Sequence, residues 1–203
     1  MKIVLFVEGH TEQKAVPEFL KRWLDLRTTH RVGIQVVRYE GWPELIKDSP
    51  KKAMMYLRQD DVIAVIALLD LHGPTFYPPS KRSSSERFDW AKRDLESKVG
   101  DTKFFQFFAV HEVEAWLLSD PNIFARDIRS SFGNGIQRPE EVNFREPPSK
   151  LLNKIYELRT GRSYKKVTHG YQLFKKLDPS IAYSKCPYLK QLLDKMAEVA
   201  NSL

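Results

Sequence analysis

Val62-Ile63-Ala64-Val65-Ile66-Ala67-Leu68-Leu69-Asp70 is the stretch on which the fold turns. Eight apolar residues in a row, half of them β-branched, lack the alternation of a strand with one wet face. The run therefore predicts a central strand buried on both sides. Such strands belong to parallel sheets sandwiched between helices. The acid that closes the run, Asp70, then stands at a carboxyl end, where these sheets place their sites.

The neighbouring sequence extends the pattern. Lys2 to Val7 predicts a second buried strand, ending at Glu8-Gly9. Thr11 is placed to cap a helix whose apolar residues Ala15, Val16, Phe19, Leu20, Trp23 and Leu24 recur at helical spacing, with Pro17 accommodated in its first turns. Val32 to Tyr39 reads as a strand, and Ser49-Pro50 as an N-cap with proline at the first helical position, opening a helix to about Arg58. Leu71 to Arg82 holds Gly73, Pro74, Pro78 and Pro79, a loop long enough to suggest function. A helix from about Ser84 to before Gly100, a strand from Lys103 to Val110 and a helix from Glu112 to Leu118 follow. The segment from Asp120 to Pro148 is turn-rich, and helices are expected at Lys150 to Arg159 and Tyr188 to Ala200. The expectation is an α/β protein with a mostly parallel central sheet, helices on both faces and a helical C-terminal extension. Residues 1–120 would form the core, with 121–203 packed on it as part of one structural domain.

Bulk properties narrow the function classes. Lysine and arginine number 33 against 26 acids, and the net charge of +7 favours polyanionic partners such as nucleic acid. After Pro147 the chain carries Lys150, Lys154, Arg162, Lys165 and Lys166, interleaved with Tyr156, Tyr164, Tyr171 and Phe174; this pattern suits phosphate contact with base stacking, or a solvated basic face. No apolar run approaches the ~20 residues of a membrane span. Met1 to Glu8 lacks a small-residue cleavage site, and Cys186 is the only cysteine, so no internal disulfide forms. These readings point to a cytoplasmic protein without a membrane partner. There is no P-loop and no G-x-G-x-x-G. Ser83-Ser84-Ser85 and Cys186 carry no nucleophile signature.

Three predicted strand ends carry ionisable residues: Glu8 with Glu12 beyond it, Asp70 with His72, and His111-Glu112-Val113-Glu114. Converging carboxylates repel unless a cation lies between them, and hard cations such as magnesium take carboxylate oxygens. Each residue also has a plainer reading. Glu12 suits a helix N-terminus, Asp70 a turn, His72 a loop, and Glu112 and Glu114 a solvated helix start.

Val7-Glu8-Gly9-His10-Thr11-Glu12 resembles the V-E-G-x-T-E opening of TOPRIM domains, and Val65 to Leu71 resembles their second motif, an aspartate after a buried strand. The resemblance is strongest to the branch related to overcoming-lysogenisation-defect (OLD) nucleases, closest to the domain-of-unknown-function family numbered 4276. That family's D-x-x-G-x-P, H-E-x-E-A and Y-x-K-x-x-H-G motifs read here Asp70-Leu71-His72-Gly73-Pro74, His111 to Ala115 and Tyr164 to Gly170, so the likeness spans nearly the whole chain. Two departures stand out: His72 replaces the second aspartate of D-x-D, and Pro74 follows Gly73 directly. They leave a magnesium ligand missing or shift the preference toward manganese.

The resemblance implies a TOPRIM-like (Rossmann-like) fold and a nuclease working with two Mg2+ or Mn2+ ions about 3.5–4 Å apart. It implies that Glu8 is catalytic, that Glu8, Glu12 and Asp70 hold one cation, and that Glu112 and Glu114 hold or share the other. Lys166 would neutralise transition-state charge or simply contact phosphate; His169 would assist or pack; His72 and His111 are further candidates. A separate AAA/ABC-type ATPase partner and a role in anti-phage defence or DNA processing follow from the resemblance alone. The rival readings are a non-catalytic TOPRIM-like module that binds nucleic acid or an ATPase, and another phosphoryl-transfer enzyme such as a primase or small-nucleotide phosphatase. The intact acids favour the nuclease.

If Lys150, Lys154, Arg162 and Lys165 track a duplex backbone, log affinity should fall against log salt with a slope of about −0.9 per phosphate contact. Fluorescence anisotropy between low and physiological salt measures this, and a flat response would remove the basic segment as the footprint.

Overall fold

The computed structural model describes residues 1–133, 135–142 and 146–202; of the extension anticipated at 121–203, residues 134, 143–145 and 203 lie outside the described residues. Strands and helices alternate through the first half: β1 (Lys2–Val7), α1 (His10–Asp25), β2 (Gly33–Arg38), α2 (Trp42–Leu57), β3 (Val62–Asp70), α3 (Ser84–Val99) and β4 (Phe104–Ala109). The four strands are all parallel, in the order β2-β1-β3-β4. The apolar runs of β1 and β3 occupy the middle, and Ile3 to Val7 and Ala64 to Ala67 are wholly buried. Helices α2 and α3 pack together beside β3 and β4, and α1 lies along β1 and β2. The chain leaves β1 toward β2 and returns to β3 on the other side of β1. The gap between β1 and β3 is therefore the switch point at which ligands bind in such sheets.

The second half is built of short elements: α4 (Glu114–Leu117), α5 (Arg126–Arg129), α6 (Pro148–Thr160), a π-helical turn at Lys166–Gly170, α7 (Tyr171–Lys176), α8 (Pro179–Lys185) and α9 (Pro187–Asn201). Helices α7, α8 and α9 pack on α1, and α9 also reaches β3 and β4. Trp116, after β4, is fully buried and stacks on Phe19 of α1 at 6.0 Å, with Phe174 of α7 edge-on at 6.3 Å. The extension thus shares one apolar core with the sheet. Among the described residues no helix is long and apolar enough to cross a membrane.

Three local expectations are corrected. Helix α1 begins at His10, so Thr11 lies inside it and is buried rather than capping it, and Pro17 stands in its third turn. Helix α2 begins at Trp42, eight residues before the expected start. Gly41, at φ 93°, turns the chain sharply, Pro43 supplies the first-turn proline, and Ser49 and Pro50 lie within the helix. An interior proline costs about 3 kcal/mol or more. Burial of Leu45 and Ala53 from the same helix offsets much of that penalty, at about 1.5–3 kcal/mol for a leucine. Helix α4 spans only four residues of the seven expected. Other signals match the elements closely: Ser83 and Glu86 form a reciprocal capping box at α3, which ends on left-handed Gly100.

Replacing Trp116 by alanine should lower stability by about 3–5 kcal/mol, because it leaves a cavity between Phe19 and Phe174. Urea denaturation should show that loss against a near-zero effect for Leu158→Ala, since Leu158 is exposed.

Candidate active site

Glu8 leaves β1 with its carboxylate turned to the neighbouring strand end. Its Oε1 accepts a hydrogen bond from the Asp70 amide at 2.7 Å, and the Trp42 amide, at the start of α2, also donates to the carboxylate. Asp70 in turn accepts from the Val113 amide at 3.1 Å through Oδ1. The carboxyl ends of β1, β3 and the segment after β4 are therefore laced together by backbone donors. Glu12, one turn into α1 and 6% exposed, brings its carboxylate over Gly9. A methyl group there would fall 2.3 Å from Glu12 Oε2, so the missing side chain of Gly9 leaves the room.

The other two acids come from the segment after β4, where the Val110–His111 peptide bond is cis. Glu112 accepts from the Ser149 amide, at the start of α6, at 2.9 Å. Glu114 opens α4, is 0% exposed, and has no hydrogen-bond donor on either oxygen among the described residues. Lys166 opens the π-helical turn and reaches both, with Nζ 3.1 Å from Glu112 Oε1 and 3.4 Å from Glu114 Oε2. The turn is seated tightly: a methyl at Gly170 would stand 3.0 Å from the Tyr164 hydroxyl and 3.5 Å from Thr11 Cγ2.

Among the described residues, five carboxyl groups thus face one ammonium. Burial, reinforced by Glu12, raises Glu8 to about 7 against the pull of the Asp70 amide. Burial raises Asp70 well above the usual carboxylate range, with Glu12, Glu8 and Glu114 adding repulsion. Burial also raises Glu12, and it raises Glu114 to about 7 although Lys166 opposes it. Burial pushes Glu112 up as well, but Lys166 and the hydrogen bonds of Ser149 outweigh it and hold that group below its ordinary value. Burial would lower Lys166, yet Glu114, Asp70 and Glu112 together lift it above the ordinary lysine value.

A hard divalent cation fits this donor set by chemistry: the oxygens are carboxylate, and the negative charge exceeds what one ammonium neutralises. The site is not preassembled, since among the described residues no three His, Cys, Asp or Glu side chains are gathered closely enough to hold an ion as they stand.

The remaining candidates differ in exposure. His72 is exposed, and its electrostatic influence falls on His111, whose carbonyl accepts from the His72 amide at 2.9 Å. His111 is buried, and burial lowers its pKa. His169 packs: its Nδ1 accepts from the Lys165 amide at 2.9 Å and its ring stacks on Tyr156. Lys150, Arg162 and Lys165 are exposed, and Lys154 is also exposed but pairs with Glu146 at 2.5 Å. Tyr164 and Phe174, anticipated as stacking residues, are buried and unavailable to a base.

Sequence reading missed the contribution of Ser149, whose amide donates to Glu112, and of the aromatic wall of the long loop. There Phe76 contacts Trp42, Tyr77 and Trp90 at 5.8, 4.5 and 5.9 Å. Tyr77 donates to the Leu71 carbonyl at 3.2 Å, which folds the long loop back toward the acids. The only signal for this wall was aromatic residues inside a proline-rich loop.

A four-stranded parallel sheet in this strand order, flanked by helices, is a TOPRIM-like (Rossmann-like) α/β fold. The chain belongs to the family described as Domain of unknown function (DUF4276), whose model matches residues 7–197. Among solved structures it is similar to the C-terminal region of the Burkholderia pseudomallei OLD protein, at 17% identity and a TM-score of 0.50, over 98% of each chain. It is also similar to the C-terminal region of the Xanthomonas campestris pv. campestris OLD protein, at 14% identity and a TM-score of 0.49, over 98% of this chain and 93% of that one. None of the curated proteins matches.

Between the ordinary carboxyl value of 4.5 and about 7, folded Glu8 and Glu114 hold protons that the unfolded chain has released. Stability should therefore fall as pH rises through that window. In chelator-treated buffer, thermal melting should drop by several degrees between about pH 5 and pH 8. Glu8→Gln, which keeps the acceptor for the Asp70 amide but cannot ionise, should make the profile shallower, with Glu114 retaining the rest of the slope.

Proposed function

We propose that this protein hydrolyses phosphodiester bonds of nucleic acid with the help of Mg2+ or Mn2+ held by Glu8, Glu12 and Asp70. The observation that carries the reading is the excess of buried carboxylates over neutralising charge at the switch point of the sheet. A bound divalent cation supplies Lewis-acid stabilisation of phosphate charge and lowers the pKa of water. The chain's own groups do the positioning. The Asp70 and Trp42 amides aim Glu8, the Val113 amide aims Asp70, and Lys166 sets a positive charge beside the acids to meet a phosphate oxygen. Exposed Lys150, Arg162 and Lys165 lie on the same C-terminal half as Lys166 and would contact the substrate backbone. The likeness to OLD proteins extends the proposal to a role in defence or DNA processing alongside a separate ATPase.

One observation favours a second reading, a non-catalytic module that binds nucleic acid or an ATPase: among the described residues no three ligating side chains are already gathered. A cleavage assay separates the two. Single-stranded DNA, double-stranded DNA and RNA should be incubated with Mg2+ or Mn2+, beside Glu8→Gln. The nuclease reading expects cleavage that drops about 100-fold or more in the variant; binding without cleavage on any substrate with either metal gives the second reading. His72→Asp should change the rate by less than about threefold, since that side chain is exposed. A large gain with magnesium would place His72 in the cation's shell.

A further inference from the structure

The five acids divide into two groups of different standing. Glu112 has both oxygens engaged, Oε1 by Lys166 and Oε2 by the Ser149 amide, and Glu114 faces the same ammonium. Lys166 also acts on Glu8, Glu12 and Asp70 at longer range, but among the described residues no lysine or arginine stands in ion-pair contact with these three, and backbone amides hydrogen-bond to Glu8 and Asp70. One group therefore has a cation in direct contact and the other does not.

We propose that the protein binds a single divalent cation, at Glu8, Glu12 and Asp70, and that the Lys166 ammonium fills the place a second cation would take at Glu112 and Glu114. This rests on the cation-dependent reading above and departs from the two-cation arrangement implied by the resemblance. A divalent ion on these carboxylates needs oxygens at about 2.0–2.6 Å, in the space where Nζ stands 3.1 and 3.4 Å from them. Two cations cannot share that space, because like charges in a poorly hydrated site repel strongly. Nor is Lys166 free to swing aside with its backbone. It opens a π-helical turn, a geometry often found at functional sites. Its turn is fixed by the Lys165 amide on His169 Nδ1 and by Gly170 against Tyr164 and Thr11. Fully buried Glu114, without any other donor, would be left uncompensated if the ammonium departed.

The test is stoichiometry rather than activity: Mn2+ titration by calorimetry, with bound ion counted by electron paramagnetic resonance. The wild type should take up one ion per chain, Asp70→Asn none, and Glu114→Gln still one. Lys166→Met should take up two, and its melting temperature should become dependent on the metal. Two ions in the wild type, one in Lys166→Met, or loss of the ion in Glu114→Gln would overturn the proposal while leaving the cation-dependent reading intact. No ion in the wild type would overturn both. If Lys166→Met does not fold, the wild-type count and the Glu114→Gln count decide the matter.

Discussion

Mutual repulsion among buried carboxylates is the constraint around which the rest of the molecule is arranged. Glu8, Glu12, Asp70, Glu112 and Glu114 are held near one another where water is scarce, and burial pushes four of them toward their neutral forms. A fold that served only its own stability would place apolar side chains there. Here the sheet ends, the first turn of α1, the start of α6 and the π-helical turn all contribute donors or charge to keep the acids in place. The energetic cost is borne by the core beneath, where β1 and β3 bury apolar residues on both faces of the sheet.

The same core explains how the helices keep prolines in their interiors. Pro17 in α1 and Pro50 in α2 each remove a backbone hydrogen bond, yet neither helix ends there. The apolar stripe of α1, from Ala15 to Leu24, is buried against the sheet and against the helices that follow. Tertiary burial, worth more than the local penalty, decides the length of these helices.

The C-terminal half completes the acid cluster rather than merely covering the sheet. Ser149 supplies the amide that fixes Glu112, and Lys166 supplies the ammonium in contact with Glu112 and Glu114. Phe174 and Trp116 bind that half to α1 through the shared core, so the position of Lys166 depends on packing many residues away. The aromatic wall of Trp42, Phe76, Tyr77 and Trp90 closes the opposite flank, next to Glu8.

The strands were legible in the sequence because an unbroken apolar run such as Val62 to Leu69 has few alternatives to a doubly covered strand, and α3 because Ser83, Glu86 and Gly100 spell out its ends. The acids at strand ends could be named as candidates from the same reading, since parallel sheets expose their carboxyl ends to ligands. What the sequence could not decide was where α2 begins, because a Ser-Pro pair carries the same local signal at a helix start as inside a helix held by burial. Nor could it tell that Tyr164 and Phe174 turn inward, that His72 is exposed, or that Lys166 pairs directly with Glu112 and Glu114. Those outcomes rest on contacts between residues far apart in the chain, where burial and charge are set by three-dimensional neighbours rather than by spacing along the sequence.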